Sequence, residues 1–146
     1  MNEFFKLLKN RNFLLLWGSA VLSQITINML SFLILTRIFE LTNSTIATSF
    51  VWVSYAIAAV LFGPFGAVTA DVSSRRKMLM VTNIAQAVTV LLYSFLYTQY
   101  FYLGYGVVFL YAAFNQFYVP AEAATLPAIV PKSLLPAANG LLFITV

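Results

Sequence analysis

Six amide side chains interrupt the long apolar stretches of this sequence and are the first candidates for binding chemistry. They are Gln24 and Asn28, Asn83 and Gln86, and the adjacent pair Asn115 and Gln116. Spacings of four and three residues place the members of the first two pairs on one helix face. Such amides can line an aqueous path for a substrate, or they can hydrogen-bond between helices at about 0.6 kcal/mol each. For the Gln24–Asn28 face both interpretations stay open.

The short charged segment 71–77 is the second candidate. Asp71 stands at the expected C-terminal end of one helix, and Arg75, Arg76 and Lys77 stand at the expected start of the next. Both placements oppose the helix dipole, each by about 0.3–1 kcal/mol. Either Asp71 pairs with Arg75, or it faces the positive N-terminal end of a helix outside this sequence. The second interpretation predicts a contact that breaks and re-forms as two helical bundles rock.

Several reaction classes lack the residues that they need. The sequence has no Cys and no His, which excludes disulfide scaffolds, thiol chemistry, zinc sites and histidine acid–base catalysis. The membrane spans predicted below hold no Asp, Glu, Lys or Arg well inside them, so no proton-coupling acid is expected. We therefore predict no catalytic residue, no metal site, no cofactor and no enzymatic activity.

Composition predicts the kind of element that positions these residues. Of the 146 residues, 62% are hydrophobic and 8% are charged, and the mean hydropathy is +0.91. Soluble domains contain about 25% charged residues, so the twelve charges of this chain cannot cover a soluble surface. These values exclude a soluble globule, a disordered chain and a nucleic-acid binder. They predict an integral membrane protein surrounded by a lipid bilayer.

The charged residues divide the sequence into apolar runs whose lengths predict the membrane spans. Residues 12–36 form a run of 25, residues 41–70 a run of 30, and residues 78–121 a run of 44. About 20 helical residues cross a bilayer, whereas the third run would be about 66 Å long as one helix. The third run must therefore reverse, and its most polar point favours a turn at 98–101.

The resulting architecture is an all-α, polytopic transmembrane helix bundle. Its predicted spans are 14–36, 46–69, 78–97 and 102–119. The last segment, 134–146, is uncharged and increasingly apolar, but it corresponds to only about 20 Å of helix. We expect it to be the start of a fifth span, in a chain that continues beyond this sequence.

The basic residues predict the orientation. Seven lie on one side of the predicted spans (Lys6, Lys9, Arg11, Arg75, Arg76, Lys77 and Lys132), and only Arg37 lies on the other. The positive-inside rule then predicts a cytoplasmic N-terminus, and we expect a bacterial plasma membrane, the cell inner membrane. The first apolar run is too long for a cleavable signal. Residues 4–9 fit a short interfacial helix or, equally well, a frayed tail.

The segment 66–77 resembles the loop between the second and third helices of the major facilitator superfamily of transporters. That loop has the form Gly-x-x-x-Asp-x-x-x-Arg-Arg/Lys, in which Asp71 matches the acid and Arg75 and Arg76 match the basic pair. The positions that depart from the pattern are Ala67, Val72 and Ser74, with Gly66 one residue before the expected glycine.

Two further segments resemble the drug-efflux-like branch of that superfamily. Residues 41–45, Leu-Thr-Asn-Ser-Thr, are similar to its turn between the first two helices, and residues 115–139 to its loop between helices four and five. The resemblance covers nearly the whole chain, as the first four and a half of twelve helices. The helix-four arginine of many proton-driven exporters has no counterpart between Gly104 and Val119, so proton antiport is not implied.

The resemblance implies a twelve-helix carrier whose two six-helix halves bind a small molecule between them and work by alternating access. In that scheme Gly66, Asp71, Arg75 and Arg76 form a gating loop, and Gln24 and Asn28 contact an exported substrate. The implied partners are a small-molecule substrate and the missing C-terminal helices of the same carrier. The alternative is a self-contained four-helix membrane protein, acting as a small exporter or as a structural or assembly subunit.

Overall fold

The computed structural model describes residues 2–96 and 100–145. In this part of the chain the helices are α1 (Asn2–Leu8), α2 (Arg11–Thr42), α3 (Thr45–Val72), α4 (Arg75–Leu96), α5 (Leu103–Ile129) and α6 (Leu135–Thr145). A 3-10 turn, Lys132–Leu134, precedes α6. The described residues contain no strand, so the predicted all-α bundle is confirmed.

Three of the described helices, α2, α3 and α4, are long and apolar enough to cross a membrane. Helices α2 and α3 contain the first two predicted spans, and α4 contains residues 78–96 of the third. Helix α5 has a similar length of 27 residues, but its tyrosines and the adjacent Asn115 and Gln116 make it more polar. The fourth predicted span, 102–119, lies almost entirely within α5 and stays a prediction.

Local capping explains why the helices extend beyond the predicted spans. The side chain of Asn10 accepts hydrogen bonds from the backbone N–H groups of Asn12 and Phe13 at 3.1 and 3.3 Å, which starts α2. Asn43 ends α2 in the left-handed conformation, with φ of 48°. Ser44 then caps α3 by accepting from the N–H of Ala47 at 3.3 Å. The chain therefore reverses over two residues, within the predicted 41–45 turn.

The second reversal lies where the length argument requires one. Helix α4 ends at Leu96 and α5 begins at Leu103. Tyr93 of α4 packs in one cluster with Val108 of α5, and Met78 packs in another with Ala121, so the two helices run antiparallel. The predicted turn was 98–101; residues 97–99 lie outside the described part of the chain, and a turn is observed at 101–102.

Helix α5 extends beyond the fourth predicted span. The predicted span ends at residue 119, directly before Pro120, whereas α5 continues through Pro120 and Pro127 to Ile129. Proline lacks one backbone donor and disfavours a helix interior, but α5 is packed along its length against other helices, and tertiary packing overrides local preference. The helix therefore includes Glu122, which the sequence interpretation left outside it.

Helix α5 is the central element of the bundle and packs against α2, α3, α4 and α6. At one end, Leu30, Ile34 and Ile38 of α2 form a core cluster with Val108 and Tyr111 of α5. At the other end α1, α2, α5 and α6 share a second cluster. Its buried members are Leu7, Phe13, Leu16, Leu126, Val130 and Ala138.

The outward faces of the long helices are strongly apolar. Among the most exposed side chains are Met29, Phe32, Ile46, Val60 and Phe95, each at least 70% exposed. An apolar surface of this extent is unfavourable in water and is typical of a lipid-facing or partner-facing surface. The fold and the composition thus agree on an integral membrane protein.

Candidate functional site: a polar cavity between α2, α3 and α5

Two polar stripes face each other across a cavity of about 240 Å³. Helix α2 contributes Ser23, Gln24, Asn28 and Ser31; helix α5 contributes Tyr111, Asn115, Tyr118 and Glu122; and helix α3 contributes Trp52 and Tyr55. Each stripe follows from sequence spacing, because steps of three and four residues stay on one face of a helix. The packing of the bundle then brings the polar faces of α2 and α5 together.

Hydrogen bonds join the two stripes. The hydroxyl of Tyr111 donates to the backbone carbonyl of Ser23 at 3.2 Å. The hydroxyl of Tyr118 lies 3.3 Å from the Oγ of Ser19, and it donates to Oε1 of Glu122 at 3.3 Å. These contacts fix the tyrosine rings of α5 against α2, so the wall of the cavity is well defined.

Glu122 is a cavity residue that sequence reasoning missed. It is partly buried and lines the cavity together with the predicted residues Gln24, Asn28 and Asn115. The signal was present in the spacing: Asn115, Tyr118 and Glu122 are three and four residues apart. It was overlooked because the predicted span 102–119 ends before it.

The adjacent amides Asn115 and Gln116 separate in the structure. Asn115 lines the cavity, whereas Gln116 faces the glycines of α3, with its Oε1 3.7 Å from the position of a Cβ on Gly63. Both lie near the end of the predicted span 102–119 but well inside α5, because that helix extends to Ile129.

The amide pair on α4 lines a different space. Asn83 and Gln86 border a smaller cavity of about 130 Å³, which Ser23 and Tyr111 separate from the first. The Oγ of Ser23 donates to Oδ1 of Asn83 at 3.4 Å. Gln86 is only 4% exposed, and its Nε2 has no hydrogen-bond partner among the described residues. Asn83 thus joins α4 to α2, and neither amide lines the larger cavity.

The predicted gating loop separates into a buried part and an exposed part. Gly66 lies inside α3 and is buried, and a Cβ there would overlap the backbone carbonyl of Gln116. Asp71, Arg75 and Arg76 are exposed around the α3–α4 connection. Within the described part of the chain, Asp71 forms no ion pair within 4.0 Å, so the proposed pairing with Arg75 is not observed.

Among the described residues there is no group of three or more His, Cys, Asp or Glu side chains that could hold a metal ion. The cavity presents amides, hydroxyls, aromatic rings and one carboxylate. Such a set can bind and orient a small molecule through hydrogen bonds and ring contacts.

A comparison with protein families agrees with this arrangement. The family model of the major facilitator superfamily matches residues 16–146. The chain belongs to the major facilitator superfamily. No curated protein and no solved structure matches it. The resemblance noted in the sequence is thereby confirmed at the level of the superfamily, and the drug-efflux-like branch stays a prediction.

Membership of the major facilitator superfamily fits the apolar helices of the structure. Carriers of this superfamily bind small-molecule substrates within a membrane. The chain is thus an integral membrane protein that serves membrane transport.

Proposed function

We propose that this major facilitator chain is the first part of an exporter, whose substrate binds in the cavity between α2, α3 and α5. The observation that carries the proposal is the convergence of Gln24 and Asn28 from α2 with Asn115 from α5 on that cavity. Polar side chains converging in an apolar helix bundle are expected where a substrate passes. Export, rather than import, rests on the resemblance of residues 41–45 and 115–139 to drug-efflux carriers.

We also propose that the complete protein is a twelve-helix carrier. It lies in a bacterial plasma membrane with its N-terminus in the cytoplasm. The packing supports this orientation, because Asn10 at the start of α2 donates to the carbonyl of Ile129 at the end of α5, at 2.8 Å. The N-terminal basic residues and Lys132 therefore lie at one end of the bundle, and Arg37 lies near the far end of α2. Basic residues gather on the cytoplasmic side of membrane proteins.

An export assay tests the proposal. The complete carrier that contains this chain is produced in cells whose own exporters have been deleted, and growth is measured against a panel of toxic small molecules. We expect the carrier to raise the tolerated concentration of at least one compound. We expect Asn28→Leu to lower this protection about tenfold, because the substitution removes a polar contact with the substrate in the cavity, worth about 1–3 kcal/mol.

Thr36→Val provides the matched control on the same helix. Thr36 is exposed, and its hydroxyl donates to the carbonyl of Phe32 within α2, at 2.8 Å. The control should leave protection unchanged. A carrier that protects against no compound would contradict export, and equal effects of the two substitutions would contradict the assignment of the cavity as the substrate site.

A further inference from the structure

Helix α1 carries large apolar side chains that the described part of the chain leaves uncovered. Phe4, Phe5 and Leu8 are 49%, 62% and 43% exposed, respectively. Leu8 comes four residues after Phe4 and three after Phe5, so the three side chains lie on one face of the helix. This apolar face of α1 would be unfavourable in water and indicates a contact with lipid or with another protein.

The side of α1 opposite the apolar face is basic. Lys6 is exposed and lies about 150° around the helix axis from the centre of the apolar face. Lys9, directly after the helix, and Arg11, at the start of α2, are exposed as well. Glu3 is the one acid among the first 39 residues of the sequence, so this end of the chain has a positive net charge.

A third side of α1 holds the helix against the bundle. Leu7 is fully buried and shares a core cluster with Phe13 of α2 and Leu126 of α5. The backbone N–H of Asn10 donates to the carbonyl of Leu7 at 2.9 Å, which closes the turn into α2. The sequence left open a frayed tail or an interfacial helix for residues 4–9, and the structure shows a helix that packs on α2 and α6. The apolar and basic sides of α1 therefore have defined directions.

The place of α1 in the chain puts it beside the end of a helix that can cross a membrane. Three residue steps separate Leu8 from Arg11, so the end of α1 stays within about 11 Å of the start of α2. Helix α2 is long and apolar enough to cross a membrane, and its uncharged run begins directly after Arg11. A helix in this position with an apolar and a basic side is typical of segments that lie in the membrane interface, with the apolar side among the lipid chains.

We propose that α1 is a binding element for anionic phospholipids. Its apolar face inserts between the lipid chains, and Lys6 and Lys9 contact the phosphate groups at the membrane surface. Charge complementarity selects anionic lipids over zwitterionic ones, because an anionic surface attracts each nearby Lys or Arg. The inference rests on the chain being an integral membrane protein, and it is independent of export, of the substrate and of the orientation in the membrane.

Site-specific fluorescence quenching tests the inference on the complete carrier. Phe5→Cys is labelled with bimane in a carrier whose other cysteines, if any, are replaced; these 146 residues contain none. The carrier is placed in nanodiscs of equal parts phosphatidylcholine and phosphatidylglycerol, with the acyl chains of one lipid or the other brominated. We expect both brominated lipids to quench the label, and brominated phosphatidylglycerol to quench it at least about twofold more strongly.

Matched variants separate the charge contact from the apolar contact. Lys6→Gln combined with Lys9→Gln should make the two lipids quench equally, whereas Lys6→Arg combined with Lys9→Arg should keep the preference. A label on Ser73→Cys, in the exposed α3–α4 connection at the same end of the bundle, should show little quenching. A label on Leu92→Cys, exposed within α4, should be quenched equally by both lipids.

A label on Leu8→Cys, on the same face of α1, keeps the test decisive if a label at residue 5 disturbs the helix. Quenching as weak as that of Ser73→Cys would place α1 in water and overturn the inference. A label that neither lipid quenches, but whose emission is shifted to the blue, would mean that protein covers the apolar face, which also overturns it. Equal quenching by both lipids would overturn the anionic class. None of these outcomes changes the result of the export assay, so each proposal can fail without the other.

Discussion

At the scale of single residues, neighbours in the sequence have different surroundings. Asn115 and Gln116 form one polar pair in the sequence, but consecutive residues point about 100° apart around a helix. Asn115 therefore reaches the cavity, and Gln116 reaches the glycine face of α3. The proposed role in substrate binding therefore applies to Asn115 and not to Gln116.

This separation gives a prediction for transport. Asn115→Leu should lower the rate of export about tenfold, because it removes a polar contact worth about 1–3 kcal/mol in the cavity. Gln116→Leu keeps a similar volume at the contact with α3 and should leave export near the level of the unsubstituted carrier. Initial rates of efflux in cells with equal amounts of carrier in the membrane provide the measurement. A larger loss in Gln116→Leu than in Asn115→Leu would contradict the cavity assignment.

At the scale of helices, the contact between α3 and α5 depends on the absence of a side chain. Gly66 is buried where α3 meets α5, and a Cβ at this position would overlap the backbone carbonyl of Gln116. Small residues allow helix backbones to approach closely in a membrane. Gly66, which the sequence analysis placed in the gating loop, thus also holds α3 against α5. Helix α3 forms one wall of the cavity.

Gly66→Ala should therefore destabilise the protein by about 1–3 kcal/mol, because the added methyl group meets backbone atoms that cannot move alone. Thermal unfolding of the purified full chain in detergent measures the effect as a lower Tm.

Gly106→Ala is the control on the partner helix. Gly106 is exposed in α5, and a Cβ there meets no atom within 4 Å. The control should keep or slightly raise the Tm, since alanine favours a helix over glycine by about 0.5–1 kcal/mol. A Tm in Gly66→Ala equal to that of the unsubstituted protein would mean that α3 and α5 do not meet at this point.

At the scale of the whole molecule, exposed charges gather at the end that holds the α3–α4 connection. Asp71 is exposed beside Arg75 and Arg76 and pairs with neither among the described residues. An exposed acid without an internal partner is available to a helix N-terminus of another bundle. This is consistent with the contact predicted from the sequence between Asp71 and the other half of a carrier, a latch that breaks and re-forms as the two halves rock.

Asp71→Asn tests the latch in the complete carrier. We expect efflux to fall severalfold, because the charge–dipole contact of about 0.3–1 kcal/mol is lost, while the amount of carrier in the membrane stays the same. Glu40→Gln removes an exposed acid near the opposite end of the bundle and should leave efflux unchanged. Undiminished efflux in Asp71→Asn would show that the acid has no part in the transport cycle.

The sequence by itself determined the class of the protein and the framework of its helices. Run lengths and charge positions depend only on the bilayer thickness and the helix rise, so the all-α bundle and the reversal between α4 and α5 followed from residues 12–121. The motif around Asp71 indicated the superfamily. Spacing also placed Gln24 and Asn28 on one face.

Only the tertiary structure decided which polar faces meet. Pattern arguments describe each helix separately, whereas the cavity depends on how α2, α3 and α5 are rotated about their axes. That rotation brings Asn115 to Gln24 and Asn28, and it leaves Asn83 and Gln86 in a separate space. The continuation of α5 past Pro120 is likewise a result of packing, and it is the reason that Glu122 belongs to the site.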